Sequence, residues 1–446
     1  LIIAIPLGLL YVFTIPVGRS VDEPTHYYRA YDISQGKFVS DSNENGGGAE
    51  VSIKYQEAIR KENVSYVDYS PRLSITASNE DEKEFVLYGN TAIYFFTCYL
   101  PQSVGIFIGD LLHSPILVGA YLGRLFNLLF FILVIFFSIK KIPVLKSAIF
   151  FVSLLPMMLH QAASLSSEVM TYIAAVGLFA FVMYHLYRKT KAGFTIKDYI
   201  IMCTLCVLLG MCKYAYLPLC LIVLIIPMEK FGTKRRKYLS IGLLAGGIII
   251  MNIIWFFIAK DLLKLQQLGG YDVNSQLQYI LHNPIKFIVA IMNTVAYKGW
   301  STIGSAVGAN LEWFDVGIND LLVSLVVIVF CFSIYRYREV VISPSLKHAA
   351  IFIFIITTIG FIVIEYLTWT PMGANYVDGI QGRYFLPMLF MVPLFFMKTS
   401  KKQSLQQTSV PKLQKIDQSM SFVFFLFIVA VNLVAISSIF IHHLPL

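Results

Sequence analysis

The chain alternates long apolar runs with short polar breaks over its 446 residues. Runs of about the 20 residues that a helix needs to cross a bilayer recur along most of it. The short alternating segments of a transmembrane barrel do not. We predict eleven spanning helices, at about 1–17, 116–138, 145–161, 166–187, 198–212, 214–228, 238–258, 319–335, 347–367, 383–397 and 419–441. The pattern therefore predicts an all-α polytopic membrane protein.

Short basic loops between these runs predict the orientation of the chain. They include IKK (139–141), EKFGTKRRK (229–237) and KTSKK (398–402). Lys and Arg concentrate in cytoplasmic loops of membrane proteins, and every such loop here faces the cytoplasm if the first helix starts there. The first run lacks the basic start and small-residue cleavage site of a signal peptide, so we expect it to be retained. We expect a multi-pass plasma-membrane protein with a cytoplasmic N-terminus.

The same orientation places two long loops outside, 18–115 and 259–318. Residues 91–112 are apolar enough to span, but a crossing there would turn every later basic loop outward. We therefore predict interfacial or re-entrant helices in this part of the first loop, interrupted by Pro101, and flexibility in its glycine-rich stretch DSNENGGGAE. The second loop carries an amphipathic segment at 283–300. Neither loop predicts a separate soluble domain, so residues 1–446 form a single membrane domain.

The composition agrees with a membrane protein, and the positions of the charges bear on whether nucleic acid is a partner. Hydrophobic residues make up 57% of the chain and charged residues 14%, against about a quarter charged in soluble domains. The net charge of +9 comes from the basic loops, so no nucleic-acid partner is predicted. The six cysteines lie mostly in apolar runs. Cys203 and Cys206 lack the further ligands of a zinc site, and the cysteines indicate no disulfide framework.

The stretch DEPTHYYRAYDISQG (22–36) follows directly on the first apolar run. Pro24 suits the first turn of a helix and Gly36 its end. On such a helix Asp22, His26 and Arg29 share one face and Glu23 lies on the next. A carboxylate beside an imidazole suits a general base, and Asp22 with Glu23 suits a divalent cation such as Mg or Mn. The alternative is a capped juxtamembrane helix with solvated charges.

Three other polar regions fall on the outer side by the same orientation. LHQAASLSSEVM (159–170) contributes Gln161, Ser164 and Glu168, and Lys213 lies between two apolar runs. GIQGRYFLP (379–387) contributes Gln381 and Arg383. An ionisable group at membrane depth is a functional candidate, and arginine geometry suits phosphate. The alternatives are a helix cap for Glu168, snorkelling for Lys213, and an ion pair of Arg383 with Glu365 or Asp378.

These residue types predict a substrate with a phosphate leaving group whose lipid tail stays in the bilayer. The candidates for catalysis are Asp22, Glu23 and His26. The candidates for holding the phosphate are Arg383, Lys213, Gln381 and Arg29. The candidates for binding the second substrate or for support are Glu168, Ser164, Gln161, Trp300 and Lys298. No organic cofactor is predicted, and the need for a metal stays open.

A first helix, an outer loop that opens with an acidic residue, and a late outer arginine resemble the GT-C glycosyltransferase superfamily. Four stretches also resemble a bacterial multi-pass membrane family filed as a domain of unknown function. These are DEPTHYYRAYDISQG (22–36), YLPQSVGIFIG (99–109), LPMMLHQAASLSSEVM (155–170) with CKYAYLPL (212–219), and GIQGRYFLP (379–387). The chain departs from that family at YGNTAIYFF (88–96), where a Tyr-x-Pro-rich segment is expected, and in having Glu168 for an aspartate.

The resemblance implies a polyprenyl-phosphate-linked sugar donor and inverting transfer to a surface glycan or a teichoic-acid-like polymer on the outer face. By this likeness Asp22 is the base that activates the acceptor hydroxyl, Arg383 holds the donor phosphate, and Lys213 matches a mid-chain lysine. Two alternatives stay open. A lipid-linked glycan flippase or transporter would place ionisable groups near the middle of spans, and an O-antigen-type ligase or polymerase would use a diphosphate-linked chain as donor.

Overall fold

The computed structural model describes residues 3–78, 80–187, 193–262, 273–338, 340–400 and 403–445. Helices dominate these residues, joined by short turns. The first ten are α1 (Ala4–Thr14), α2 (Glu23–Ser34), α3 (Ile53–Ala58), α4 (Tyr66–Tyr69), α5 (Gly89–Ala92), α6 (Leu100–Leu111), α7 (Ile116–Lys141), α8 (Lys146–Ser153), α9 (Pro156–Ala162) and α10 (Glu168–Tyr187). The others are α11 (Ile196–Cys212), α12 (Met228–Phe231), α13 (Lys234–Ala259), α14 (Val273–His282), α15 (Pro284–Val307), α16 (Asp320–Tyr337), α17 (Pro344–Thr368), α18 (Leu386–Leu389), α19 (Pro393–Phe396) and α20 (Gln403–His442). Tighter 3₁₀ turns cover Ser70–Ser74, Phe96–Tyr99, Tyr214–Ile225 and Gly382–Phe385.

Six of the described helices are long and apolar enough to cross a bilayer: α7, α10, α13, α16, α17 and the part of α20 from 422 to 442. They coincide with six of the eleven predicted spans. The other five predicted spans are shorter or broken helices here, and prolines account for three of them. Pro156 separates α8 from α9, and Pro218 lies within the 3₁₀ turn 214–225. Pro387 lies in the first turn of α18, and Pro393 begins α19. Proline lacks the N–H that a helix interior needs.

Helices α6 and α7 pack closely through glycines. A Cβ built on Gly105 would lie 2.4 Å from the carbonyl oxygen of Leu122, and one on Gly109 would lie 2.5 Å from the Cα of Gly119. Small residues spaced by four let helix backbones meet in this way. With 12 residues, α6 is about 18 Å long, too short to cross a bilayer alone. The segment 91–112 thus consists of short helices, and its interfacial or re-entrant position on the outer face stays a prediction.

The first long loop also holds a small antiparallel sheet in the order β1 (Asp41–Asn43), β2 (Gly46–Ser52) and β3 (Lys83–Leu87). The stretch DSNENGGGAE, for which the sequence predicts flexibility, instead forms the first hairpin of this sheet. Gly47 allows the strand to approach the turn after α13: its N–H donates to the carbonyl of Leu262 at 2.7 Å, and a Cβ there would lie 2.9 Å from the same oxygen. A side chain at Gly48 would collide with the carbonyl of Val86. The glycines therefore serve close backbone packing.

The last described helix closes the fold against the first. The Tyr11 hydroxyl of α1 donates to Asn432 of α20 at 3.1 Å. At the end of α20, the ring Nδ1 of His443 lies 2.8 Å from the carbonyl oxygen of Val64. The N–H of Tyr66 donates to the carbonyl of His443 at 2.9 Å. The Tyr66 hydroxyl also donates to the carbonyl of Thr14 in α1 at 2.8 Å, so the first long loop is held by both α1 and α20.

Several basic segments between the long helices contact one another. The N–H of Phe194 donates to the carbonyl of Lys230 at 2.7 Å. A short parallel ladder, β4 (Val341–Ile342) with β5 (Lys398–Thr399), joins two further basic segments. Helix α7 begins at Ile116 and ends at Lys141. Helix α7 thus separates the basic segment 139–141 from the first long loop, where the N–H of Ile116 donates to the carbonyl of Ile75.

Candidate functional site

Asp22 lies directly before α2, as the proline at the start of that helix predicts. Its backbone is in the left-handed region at φ 61°, which few residues other than glycine adopt, although aspartate tolerates it better than most. Its carboxylate is 34% exposed. From this position the carboxylate contacts Arg383, which lies in the last fifth of the sequence.

Arg383 is buried at the start of a 3₁₀ turn, and its guanidinium lies between two carboxylates. Nη2 donates to Oδ2 of Asp22 at 3.1 Å, and Nε lies 3.6 Å from Oε1 of Glu168. The preceding residue, Gly382, packs so tightly on α15 that a Cβ there would lie 2.1 Å from the N atom of Ala306. Contact between the 3₁₀ turn and α15 thus fixes the position of the guanidinium.

Glu168 and Lys213 complete the group. The ammonium of Lys213 donates to Oε1 of Glu168 at 2.6 Å. Glu168 begins α10, where its N–H donates to the Ser166 hydroxyl at 3.2 Å, and Lys213 follows the end of α11. The ammonium also lies 4.9 Å from the ring centre of Tyr384. Residues from four distant parts of the chain therefore meet in one charged cluster, which we call the Asp22–Arg383 cluster: Asp22, Glu168, Lys213 and Arg383.

The cluster balances its charges internally yet leaves polar atoms without partners. It contains two carboxylates and two cations. Within the described residues, Nη1 of Arg383, Oε2 of Glu365 and Oε1 of Gln381 are buried and make no hydrogen bond. Buried polar atoms without partners are rare and call for an explanation such as a missing ligand. Spare guanidinium donors beside an ammonium are suited to a phosphate.

His26 lies next to the cluster on α2. Its Nδ1 is 2.7 Å from the hydroxyl of Tyr99. Burial lowers the pKa of His26 from 6.5 to about 4, against the opposing effect of the Asp22 carboxylate. A neutral imidazole at physiological pH follows, suited to orienting a hydroxyl group or accepting a proton. The positions of Asp22 and His26 agree with the helix predicted for this stretch.

Glu23 faces away from Asp22 and takes part in a different interaction. Both its oxygens accept from the fully buried guanidinium of Arg124, at 2.8 and 2.6 Å. They also accept from the N–H of Gly18 at 2.9 Å and of Leu165 at 3.2 Å. Glu23 therefore joins α7 to the turn that carries Glu168. Both oxygens of Glu23 are engaged in this structural arrangement, and a catalytic role for Glu23 stays a prediction.

Arg29, Gln161 and Ser164 lie near the cluster but have local partners. Arg29 is fully buried and donates to the carbonyls of Phe38 and Tyr94 at 2.8 and 3.1 Å, so it holds the first long loop together. The Ser164 hydroxyl donates to the carbonyl of Gln161 at 2.8 Å. Oε1 of Gln161 is buried without a hydrogen-bond partner. Nε of Arg29 is likewise buried without a hydrogen-bond partner, so of these three residues Gln161 and Arg29 each keep one polar atom that a ligand could bind.

Lys298 and Trp300 belong to a separate surface group on α15. Lys298 forms an ion pair of 2.5 Å with Asp378, and its ammonium lies 4.1 Å from the ring centre of Tyr376. Trp300 is exposed. These partners lie outside the Asp22–Arg383 cluster, and the role of Lys298 and Trp300 in acceptor binding stays a prediction.

The acidic pair proposed as a metal site does not form a ligand pair here, since Asp22 faces Arg383 and Glu23 faces Arg124. Among the described residues, one other group has suitable atoms: Glu312, Asp315 and His442, with ligand atoms within 4.8 Å of one another. The guanidinium of Arg19 donates to the carboxylates of Glu312 and Asp315. It therefore already supplies the positive charge that a metal ion would bring there.

Sequence reasoning missed two charged residues in this region. Arg124 lies within a predicted span, and Glu365 enters the sequence predictions only as a partner of Arg383. Both stand within helices that can cross a bilayer. An ionisable residue at such depth is rare without a partner or a function, and this signal is present in the sequence.

Comparison with known protein families identifies the family of this chain. The profile of the family described as "Predicted membrane protein (DUF2142)" matches residues 6–392. The chain belongs to this family. The match includes all four members of the Asp22–Arg383 cluster and agrees with a helical membrane protein. No curated protein and no solved structure matches the chain.

Proposed function

We propose that this protein is a GT-C-like membrane glycosyltransferase that moves a sugar from a polyprenyl-phosphate donor to a surface glycan or polyol-phosphate polymer. The observation that carries the proposal is the guanidinium of Arg383. It is buried beside Lys213, has an Nη1 without a partner, and contacts the partly exposed carboxylate of Asp22. A phosphate-binding cation thus stands within reach of a carboxylate that solvent and an acceptor can approach.

The proposal includes eleven crossings of the plasma membrane with the cluster on the outer side. Its support is that Asp22, Glu168, Lys213 and Arg383 lie at helix ends that the basic-loop argument assigns to the outside. The broken helices at 214–228 and 383–397 still connect opposite ends of the fold in this scheme. The site would then lie at the membrane surface, where a donor can keep its prenyl chain in the bilayer.

In the proposed reaction, an acceptor hydroxyl attacks the anomeric carbon of the donor in line. The new bond joins the acceptor oxygen to that carbon, the bond from the carbon to the phosphate oxygen breaks, and its electron pair leaves with polyprenyl phosphate. The acceptor proton passes to the carboxylate of Asp22. A single displacement of this kind inverts the anomeric centre. General-base catalysis contributes typically about 10²–10⁴-fold in rate.

Arg383 and Lys213 would stabilise the negative charge that develops on the leaving phosphate. Charge-assisted donors held in place before reaction act most strongly where water is excluded. Both cations are already paired with carboxylates in the fold, so the donor phosphate has to replace one of those partners. Asp22 is the more exposed of the two carboxylates, and its replacement on Arg383 would free it to act as base.

One feature of the structure is typical of a transporter and supports a flippase as the second candidate function. Glu365 lies inside a helix long enough to cross a bilayer, with Oε2 buried and without a hydrogen-bond partner. A flippase would use such a group along a path for the lipid headgroup. The transferase remains our first proposal, because the exposed carboxylate and the two cations lie at helix ends.

The test uses the full chain in lipid vesicles, with radiolabelled polyprenyl-phosphate sugars and a cell-envelope acceptor extract. We expect the wild type to consume one donor and Asp22→Asn to consume none. The matched control is Asp41→Asn in the same loop, since Asp41 and its partner Lys37 are both about half exposed and contribute little to stability.

Equal donor consumption by the wild type and Asp22→Asn would remove Asp22 as the base. Label that crosses the bilayer without being released from lipid would favour the flippase instead. Consumption of a diphosphate-linked glycan chain, with no use of monophosphate-linked sugars, would favour a ligase or polymerase.

A further inference from the structure

Two cysteine side chains meet beside the Asp22–Arg383 cluster. Cys98 lies in the 3₁₀ turn Phe96–Tyr99 of the first long loop, and Cys212 is the last residue of α11. Their sulfur atoms are 3.4 Å apart, although the residues are 114 positions apart in sequence. The two residues are only 1% and 5% exposed. Docking of the loop on α11 therefore brings two thiols into direct contact.

We propose that Cys98 and Cys212 form a disulfide bond that links the first long loop to the end of α11. Sulfur atoms in a disulfide are about 2.0 Å apart, so these two need to approach by only about 1.4 Å. Disulfides persist in oxidising compartments outside the cytoplasm. The inference therefore rests on the outward orientation proposed above, but it does not depend on transferase chemistry.

The bond forms by exchange with an oxidant that is itself a disulfide, either a small molecule or an oxidoreductase. The thiolate of one cysteine attacks the oxidant to give a mixed disulfide and one oxidant thiol. The second cysteine then displaces the other oxidant sulfur. The chain gains one S–S bond, and the oxidant gains the electron pair and both protons as two thiols. Because both cysteines are buried in the folded chain, the exchange takes place as the loop docks.

The location of the bond links it to the candidate site. Cys212 directly precedes Lys213, which pairs with Glu168, and Cys98 directly precedes Tyr99, which contacts His26. A covalent link between these positions limits the freedom of the lysine relative to α2. The disulfide thus fixes the position of Lys213 relative to the part of the cluster that contains Asp22.

A second cysteine pair provides an internal comparison. The thiols of Cys206 and Cys220 also contact each other, and the sulfur of Cys220 lies 3.6 Å from the carbonyl oxygen of Cys206. Cys206 precedes Cys212 by six residues on α11, which places it about 9 Å further along the helix, away from the outer end. Cys331 is exposed on α16. We expect these three cysteines to remain thiols.

The experiment labels cysteines in the full chain taken directly from cells. Cells are quenched in acid, free thiols are blocked with N-ethylmaleimide under denaturing conditions, and disulfides are then reduced and labelled with an isotopically heavy form of the same reagent. We expect the heavy label on Cys98 and Cys212 in most molecules, and the light label on Cys206, Cys220 and Cys331. In the variant Cys98→Ser we expect Cys212 to carry the light label, and the converse in Cys212→Ser.

Light label on both residues in the wild type, taken directly from cells, would overturn the proposal. Heavy label on Cys212 in Cys98→Ser would overturn the pairing, because it requires another partner. Both readouts are independent of sugar transfer, so failure of the proposed function would leave the result for the disulfide intact.

Discussion

The guanidinium of Arg383 donates to the carboxylate of Asp22 at 3.1 Å across 361 positions of sequence. The two residues thus neutralise each other in the absence of a substrate. In the proposed reaction they have different roles, one towards the donor phosphate and the other towards the acceptor hydroxyl. Their contact therefore has to open when the donor binds, and this gives predictions that separate binding from turnover.

Asp22→Asn should bind polyprenyl phosphate more tightly while transferring no sugar. The amide removes the anion that competes with phosphate for Arg383, and we expect the Kd to fall about 10-fold, or about 1.4 kcal/mol. Calorimetric titration of protein in nanodiscs with polyprenyl phosphate measures the change, and Asp41→Asn is the control. Weaker binding in Asp22→Asn would mean that Asp22 positions Arg383 rather than competing with phosphate.

Replacing Arg383 should impair donor use in proportion to the loss of its planar donors. Arg383→Lys keeps the charge but not the bidentate geometry, and we expect about a 10-fold loss in kcat/KM. Arg383→Gln should lose about 10²–10³-fold, as when one charge-stabilising donor is removed from a catalytic site. Initial rates over a range of donor concentrations measure both. Equal activity of Arg383→Gln and the wild type would exclude Arg383 from donor binding.

Glu23→Gln should affect stability rather than chemistry, in contrast to its neighbour. Removing one partner of a buried ion pair costs about 3–5 kcal/mol, and Arg124 would be left without its carboxylate. We expect low yield and a lower thermal midpoint, but normal turnover per folded molecule. Thermal unfolding in detergent and active-site titration measure the two effects. The control is Glu62→Gln on the exposed surface, and a stable but inactive Glu23→Gln would restore the catalytic hypothesis.

Lys213→Met should destabilise the protein more than the double variant Lys213→Met/Glu168→Gln. The single change leaves Glu168 buried without its 2.6 Å partner, at a cost of about 3 kcal/mol, whereas the double change removes both charges. Thermal unfolding in detergent measures the difference. Lys37→Met breaks an exposed ion pair and should cost less than about 1 kcal/mol. A double variant no more stable than Lys213→Met would argue against coupling of the two charges.

His26 should make the protein less stable as the pH falls. Its pKa is about 4 in the fold against about 6.5 in the unfolded chain, so the unfolded state binds more protons between these values. The stability that the neutral ring contributes is complete above pH 6.5. It is lost as the pH falls towards 4, by up to roughly 3 kcal/mol.

His26→Gln should remove this part of the pH dependence. Thermal midpoints of wild type and variant, measured in steps from about pH 7 to about pH 4, provide the comparison. Parallel curves for the two proteins would show that another group accounts for the loss at low pH. The comparison is independent of any activity.

The sequence predicts those parts of the molecule that depend on local patterns. Helix α2 follows from Pro24 and Gly36, and α15 from the amphipathic segment at 283–300. The encounter of Asp22 with Arg383 agrees with the basic-loop argument, which assigns both to one side of the membrane. Residues assigned to the same side of the membrane lie in one thin layer at the membrane surface. For this reason charged residues far apart in sequence could be expected to lie near one another.

Other features depend on contacts that local patterns do not reveal. Asp22 and Glu23 are neighbours in sequence, yet the left-handed backbone at Asp22 sends their carboxylates to different arginines. Whether Glu23 faces the site or the core depends on Arg124, which is 101 positions away. The contact between Cys98 and Cys212 depends in the same way on how the first long loop docks. Spacing in the sequence contains no information on these pairings.

Contact between α20 and the first long loop also has a consequence for biosynthesis. Val64 and Tyr66 leave the ribosome early, but His443, which holds them, follows 379 residues after Val64. Until α20 has been synthesised and inserted, the loop that carries Asp22 lacks its contact with His443. A nascent chain would therefore complete this charged centre only late in its insertion, after the helices that surround it are already in the membrane.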